Sequence, residues 1–190
     1  DASQGTVVRQ ISTGNENDFA GQITADGKHI LFHRGEGPGA YSIWSYDREK
    51  NLFSNYSRGM TPCLIPGEKD VIYCGRYTDK RESEIWRVNL SSGVEEILLS
   101  QPGRSFTTPV LSPDGRWLLV TGASMDEKGK DINTDLFVIR TDGTQFTQLT
   151  YHPGNDLSGV WAPDGKSIYF LSQRGSIEGT FNVWKMNFNL

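Results

Sequence analysis

Arg34, Arg76 and Arg174 stand at matching places, each just past an apolar, β-prone run. A guanidinium presents a planar fork of donors that suits a carboxylate. If the runs are equivalent strands of a repeat, the three arginines emerge on one face. There they would either hold carboxylates of a binding partner or close structural salt bridges to a neighbouring unit. Catalytic groups are scarcer. His29, His33 and His152 form no His-x-His or His-Glu-x-x-His pair, so a metal-dependent catalytic centre is not expected. No Gly-x-Ser-x-Gly elbow presents a nucleophilic serine. No catalytic residue is assigned, and the chain reads as a non-enzyme. One stretch offers oxygen ligands at alternating positions: Asp126, Asp131, Asn133 and Asp135. Ca²⁺ takes six to eight oxygens, but the spacing is not that of an EF-hand, and Lys128 and Lys130 interrupt it. A Ca²⁺ site and a plain solvated loop are the two readings, and no other cofactor is expected. Cys63 and Cys74 fall at roughly facing positions of one hairpin. They read either as a cross-strand disulfide in an oxidising compartment or as two small buried thiols.

A recurring hairpin must place these residues. In Ser112-Pro113-Asp114-Gly115-Arg116-Trp117-Leu118-Leu119-Val120, Pro113 presets its φ, Asp114 bonds back to the backbone and Gly115 accepts positive φ. Apolar residues flank the turn on both sides, as in a β-hairpin. Copies occur at Ala25-Asp26-Gly27, Ile65-Pro66-Gly67 and Ala162-Pro163-Asp164-Gly165, giving periods of 41, 47 and 50 residues. Such periods mark a repeat architecture.

Each unit continues from its hairpin, strands a and b, into strand c, a turn and strand d. Trp44, Trp86, Phe137 and Trp184 share one position of strand c. Rings repeated there are expected to pack between neighbouring sheets, each burying roughly 150–250 Å². Alternation is period two nearly throughout, so the chain is all-β. Four such units read as a single β-propeller domain over 1–190, with blades at about 18–56, 57–100, 105–150 and 156–190. The fourth unit has no strand d, while residues 5–12 match the strand-d segment Gly143–Thr150. A ring closed by pairing 5–12 into the last blade is the leading expectation, since closure removes exposed sheet edges. The alternative is four blades of a six- or seven-blade ring.

Bulk properties agree. Apolar residues make up 36% and charged residues 22%, the balance of a folded globular chain. A net charge of −4 gives no basic footprint for nucleic acid. No apolar run approaches a transmembrane span. Asp1 in place of an initiator Met is the start expected of a processed or trimmed chain. Asn55-Tyr56-Ser57 and Asn89-Leu90-Ser91 match glycosylation sequons, which matter only in a secreted eukaryotic protein.

The repeat itself resembles that of the TolB, tricorn-protease and dipeptidyl-peptidase propellers. Residues 112–120 with 136–150 carry the likeness best, followed by 162–174 with 183–187. The first two units match more loosely: Thr24-Ala25 replaces Ser-Pro, and the second unit has Pro66-Gly67-Glu68. The resemblance implies a propeller in the periplasm or another extracytoplasmic space that binds a protein or peptide. Within the same fold, a carbohydrate-processing or peptidase-associated propeller is the alternative.

Overall fold

The computed structural model describes residues 10–12, 14–37, 39–80, 82–126, 128, 130–175 and 179–190, with the side chains of Ala20, Lys69 and Asp131 left out. Period-two alternation and tight turns produce four antiparallel sheets in chain order. The first holds β1 (Asn17–Ile23), β2 (His29–Gly37), β3 (Ala40–Asp47) and β4 (Leu52–Arg58). The second holds β5 (Met60–Ile65), β6 (Glu68–Tyr77), β7 (Ser83–Asn89) and β8 (Glu95–Leu99). The third holds β9 (Arg104–Leu111), β10 (Trp117–Met125), β11 (Asp131–Arg140) and β12 (Thr147–Gln148). The fourth has three strands among the described residues: β13 (Asp156–Trp161), β14 (Ser167–Ser172) and β15 (Asn182–Asn187). Each sheet is a meander, and the arrangement is an all-β, propeller-like fold.

Turn chemistry sets the hairpins. The Ser112 hydroxyl donates to Asp114 Oδ1 (2.6 Å) and accepts from the Trp117 amide (2.9 Å). Thr24 does the same toward Asp26 (2.6 Å) and His29 (3.0 Å), so the looser first repeat keeps the same device. The Ser112 hydroxyl, helped by the Arg116 amide, holds the Asp114 carboxyl down at about 2. A depressed carboxyl stabilises the fold above its unfolded value near 3.8, and that contribution is lost as pH falls through about 2. Asp114→Ala is therefore expected to cost about 0.5–1 kcal/mol at pH 7, a value discounted for the half-exposed side chain. Acid titrations of both proteins should converge near pH 2; a gap that persists there would refute the assignment.

Strand a of every blade carries a bulge that the hairpin motif does not announce. Register shifts fall at Phe19/Gln22, Met60/Cys63 and Leu157/Val160, and opposite Leu119/Thr121 in β9. Thr61, Thr108 and Ser158 adopt left-handed φ values of 49°, 49° and 56° there. Such values are uncommon for residues with a Cβ and belong to two-against-one bulges. Pro62 and Pro109 follow Thr61 and Thr108, where a bulge leaves the missing N–H without a ladder partner.

The core lies between consecutive sheets. Leu31 and Ile43 of the first sheet meet Ile72, Cys74 and Val88 of the second. Cys63, Tyr73, Ile85 and Leu99 meet Phe106, Leu118, Val120, Phe137 and Ile139 of the third. Trp117, Leu119, Leu136 and Val138 meet Ile168 and Phe170 of the fourth. Alternation along β10 thus sends Leu118 and Val120 one way, Trp117 and Leu119 the other.

The expected closure falls largely outside the described residues. Residues 5–9 of the expected closing strand lie outside them, and Gln10, Ile11 and Ser12 carry no strand. Ile11 and Ser12 instead lie beside Ile30, Phe32, Tyr46 and Phe53 of the first sheet. Leu149, the residue matching Ile11, packs against the cluster between the third and fourth sheets. On the fourth sheet Val160, Tyr169 and Val183 are exposed.

Candidate functional site

Arg34 lies within β2, Arg76 within β6 and Arg174 two residues past β14, and none is left free. Arg34 donates from Nε and Nη2 to the two oxygens of Asp18 (2.7 and 3.0 Å), with its guanidinium 4.6 Å from the Trp44 ring centre. Arg76 grips both oxygens of Glu95 at 2.7 Å, donates to the Arg58 carbonyl (2.8 Å) and covers Trp86 at 4.7 Å. Arg174 donates to Asp156 Oδ2 (2.5 Å) and Ser172 Oγ (2.9 Å) and lies 5.6 Å from the Trp184 ring. In the third sheet Arg104 takes the same place over Phe137, at 5.0 Å. Of the two sequence readings, the salt bridge is the one formed, mainly within a blade instead of between blades. The reason is register: Phe32 pairs with Trp44 and Cys74 with Trp86, so an arginine two residues further along b shares a face with the ring on c. The hydrogen bonds from Arg34 and Arg76 hold the carboxyls of Asp18 and Glu95 below their ordinary values. Asp18 and Asp156 occupy matching positions of matching segments, a signal present in the sequence; Glu95 comes from strand d instead.

The described Ca²⁺ candidates divide between the β10–β11 turn and strand β11. Asp126 Oδ1 accepts the Lys128 and Lys130 amides, both at 2.9 Å, and closes the β10–β11 turn. The Asp131 side chain lies outside the described residues. Asn133 donates to Asp135 Oδ2 and to the His152 carbonyl, both at 3.1 Å. Asp135 is buried and also accepts Thr150 Oγ1 and Gln148 Nε2, both at 3.1 Å. Burial pushes its carboxyl up, and the nearby Asp156 charge adds to the shift. Among the described residues no group of three His, Cys, Asp or Glu side chains is placed to hold a metal ion.

Of the two readings for the cysteines, the structure shows the two buried thiols and not the cross-strand disulfide. Cys63 pairs in register with Tyr73, one residue short of Cys74. That offset sends the two thiols to opposite faces: Cys63 toward the third sheet, Cys74 toward the first. Both are free and buried, and burial pushes each thiol up to about 11. A thiol-specific disulfide reagent at pH 8 should react with neither until denaturant unfolds the protein. Rapid labelling of the native protein would contradict these placements.

An open cleft of about 340 Å³ lies between the first and second sheets, at the end where strand b meets strand c. Its lining combines Tyr41, Tyr77, Trp86 and Met60 with Arg58, Arg76, Asp79 and Glu84. The Tyr41 and Tyr77 rings stand 6.2 Å apart. Glu84 is engaged, accepting Trp86 Nε1 (3.1 Å) and Ser100 Oγ (2.7 Å). Nothing in the local sequence marks this recess, because it is assembled from the β2–β3 turn, the β4–β5 link and the β6–β7 loop.

Comparison with known proteins gives a consistent picture. The family profile described as TolB beta propeller domain matches residues 45–190. The Tol-Pal system protein TolB of Helicobacter pylori strain J99 is 28% identical over 149 residues, covering 76% of this chain and 34% of that protein. The crystal structure of TolB from Acinetobacter baumannii superposes with a TM-score of 0.71 at 15% identity, over 93% of this chain and 42% of that one. A prolyl endopeptidase structure superposes at 0.62 and 16% identity, over 90% of this chain and 26% of that one. The two structural likenesses concern the fold, and the chain spans about a third of the length of the curated relative.

Proposed function

The chain belongs to the TolB β-propeller family, and from that premise we propose that it is a non-enzymatic platform that binds a protein or peptide in the cell envelope. The setting is the periplasm or an equivalent extracytoplasmic space. One observation carries the reading: the cleft between the first two sheets offers the rings of Tyr41, Tyr77 and Trp86 and an Arg58 guanidinium unpaired among the described residues, while Arg34, Arg76 and Arg174 are committed to the blades. A rigid sheet scaffold with a recess at its loop end suits recognition, because little ordering is needed on binding. Among the described residues no helix is long and apolar enough to cross a membrane. The likeness to the prolyl endopeptidase fold supports a second reading, an accessory propeller of a peptidase.

The test is affinity capture from a native envelope extract, followed by calorimetry with the purified partner. A stoichiometric envelope protein that rebinds in purified form supports the platform. A hydrolase chain as the stoichiometric partner favours the accessory reading. Absence of any partner that rebinds overturns both.

A further inference from the structure

We infer that the cleft between the first and second sheets docks an extended peptide segment in which an aromatic residue adjoins a single acidic one. This rests on the platform reading and adds what the platform recognises.

The charges of the cleft fall into two groups. Arg76 is neutralised by Glu95, and the Glu84 carboxylate is taken by Trp86 and Ser100. Arg58 is exposed, and among the described residues its guanidinium makes no ion pair or hydrogen bond; only its carbonyl is used, by Arg76 and by Ser57 Oγ. Asp79, exposed on the β6–β7 loop, is the remaining anion of the lining. A free guanidinium is the fit for one carboxylate. Asp79 repels a second, so a polyanion is disfavoured while a singly acidic segment is accepted.

The walls call for an aromatic neighbour. Tyr41, Tyr77 and Trp86 present ring surface, and the Met60 thioether adapts to what lies against it. Trp86 has its Arg76 side covered, which fixes the ring before any ligand arrives. Glycine is needed at position 59 of the lining, because its φ is 145° and a Cβ there would stand 3.0 Å from the buried Cys74 Sγ. Gly39 and Gly75 also line the recess without side chains. At about 340 Å³ it is at the small end of ligand sites, which run roughly 300–1,000 Å³, so it admits one or two side chains and not a folded domain.

The probe is an acetylated, amidated tetrapeptide, glycine-phenylalanine-glutamate-glycine, titrated into ¹⁵N-labelled protein and followed by amide NMR. Saturable shifts are expected at Gly39, Gly59, Gly75 and the Trp86 indole. Replacing the glutamate by glutamine, or the phenylalanine by alanine, should weaken binding about tenfold. Arg58→Ala should do the same with the spectrum of a folded protein intact, and Arg58→Lys should restore part of the loss. A second arm uses a galacturonic acid dimer, which carries carboxylates without an aromatic side chain. Equal affinity for the glutamine peptide, shifts confined to other sites, or binding of the sugar dimer alone overturns the inference. Failure of the peptide beside a captured partner removes the cleft and keeps the platform. Binding of the peptide with no captured partner keeps the cleft and removes the envelope platform.

Discussion

Phe137→Ala is expected to lower stability by about 3–5 kcal/mol, the range for emptying a large aromatic from a core. Phe137 is 2% exposed, stacks on Phe146 at 5.4 Å and 4°, and meets Phe106 edge-on at 5.7 Å. Gly122 leaves the ring its space, since a Cβ there would lie 2.6 Å from it, so no neighbour stands ready to fill the cavity. Trp184 occupies the matching repeat position but is 39% exposed. Trp184→Ala should cost only about 1 kcal/mol, the common value for a point change outside a packed core. For a chain of this size each kcal/mol shifts Tm by about 2–4 °C, so the two variants should separate by several degrees in a thermal scan. Equal losses would show that repeat position, and not burial, governs these rings.

Arg174→Ala should be comparably damaging, for an electrostatic reason. Its partner Asp156 is 0% exposed, and Asp156 Oδ1 has no hydrogen-bond partner among the described residues. Removing the guanidinium leaves a buried carboxylate without its cation, which costs about 3–5 kcal/mol. Adding Asp156→Ala should recover part of that loss, because the stranded charge goes with it. Arg116→Ala is the contrast: its bond to Asp114 is 2.7 Å long, yet both side chains are largely solvated. Exposed pairs are worth about 0–1 kcal/mol. Urea denaturation of the four proteins decides the matter, and an Arg174→Ala variant within about 1 kcal/mol of the parent would sink the argument.

The repeat was legible because its signals are short-range. Ser112-Pro113-Asp114-Gly115 specifies a turn from four residues, and the period-two pattern of β10 specifies two buried faces. The bulges at Thr61, Thr108 and Ser158 carry no such turn signal and show only once strands are paired. Cys63 and Cys74 read as roughly facing, but in the paired strands Cys63 stands opposite Tyr73, one residue short of Cys74. One residue is enough to turn a side chain to the other face.

By itself the sequence determined the blades: where each hairpin turns, which residues alternate inward, and that a ring recurs on strand c. Those are properties of a few consecutive residues and their backbone preferences. The tertiary structure alone decided which charges remain available. Arg34, Arg76 and Arg174 could in sequence have served a partner or a salt bridge, and each found a carboxylate 16 to 19 residues away and a ring on the adjoining strand. Arg58, unremarked in its own stretch, has no ion pair among the described residues and lines a cleft made by three separate connections. Partner choice depends on register and on which strand ends meet. Those follow from packing between sheets, which no single stretch of chain encodes.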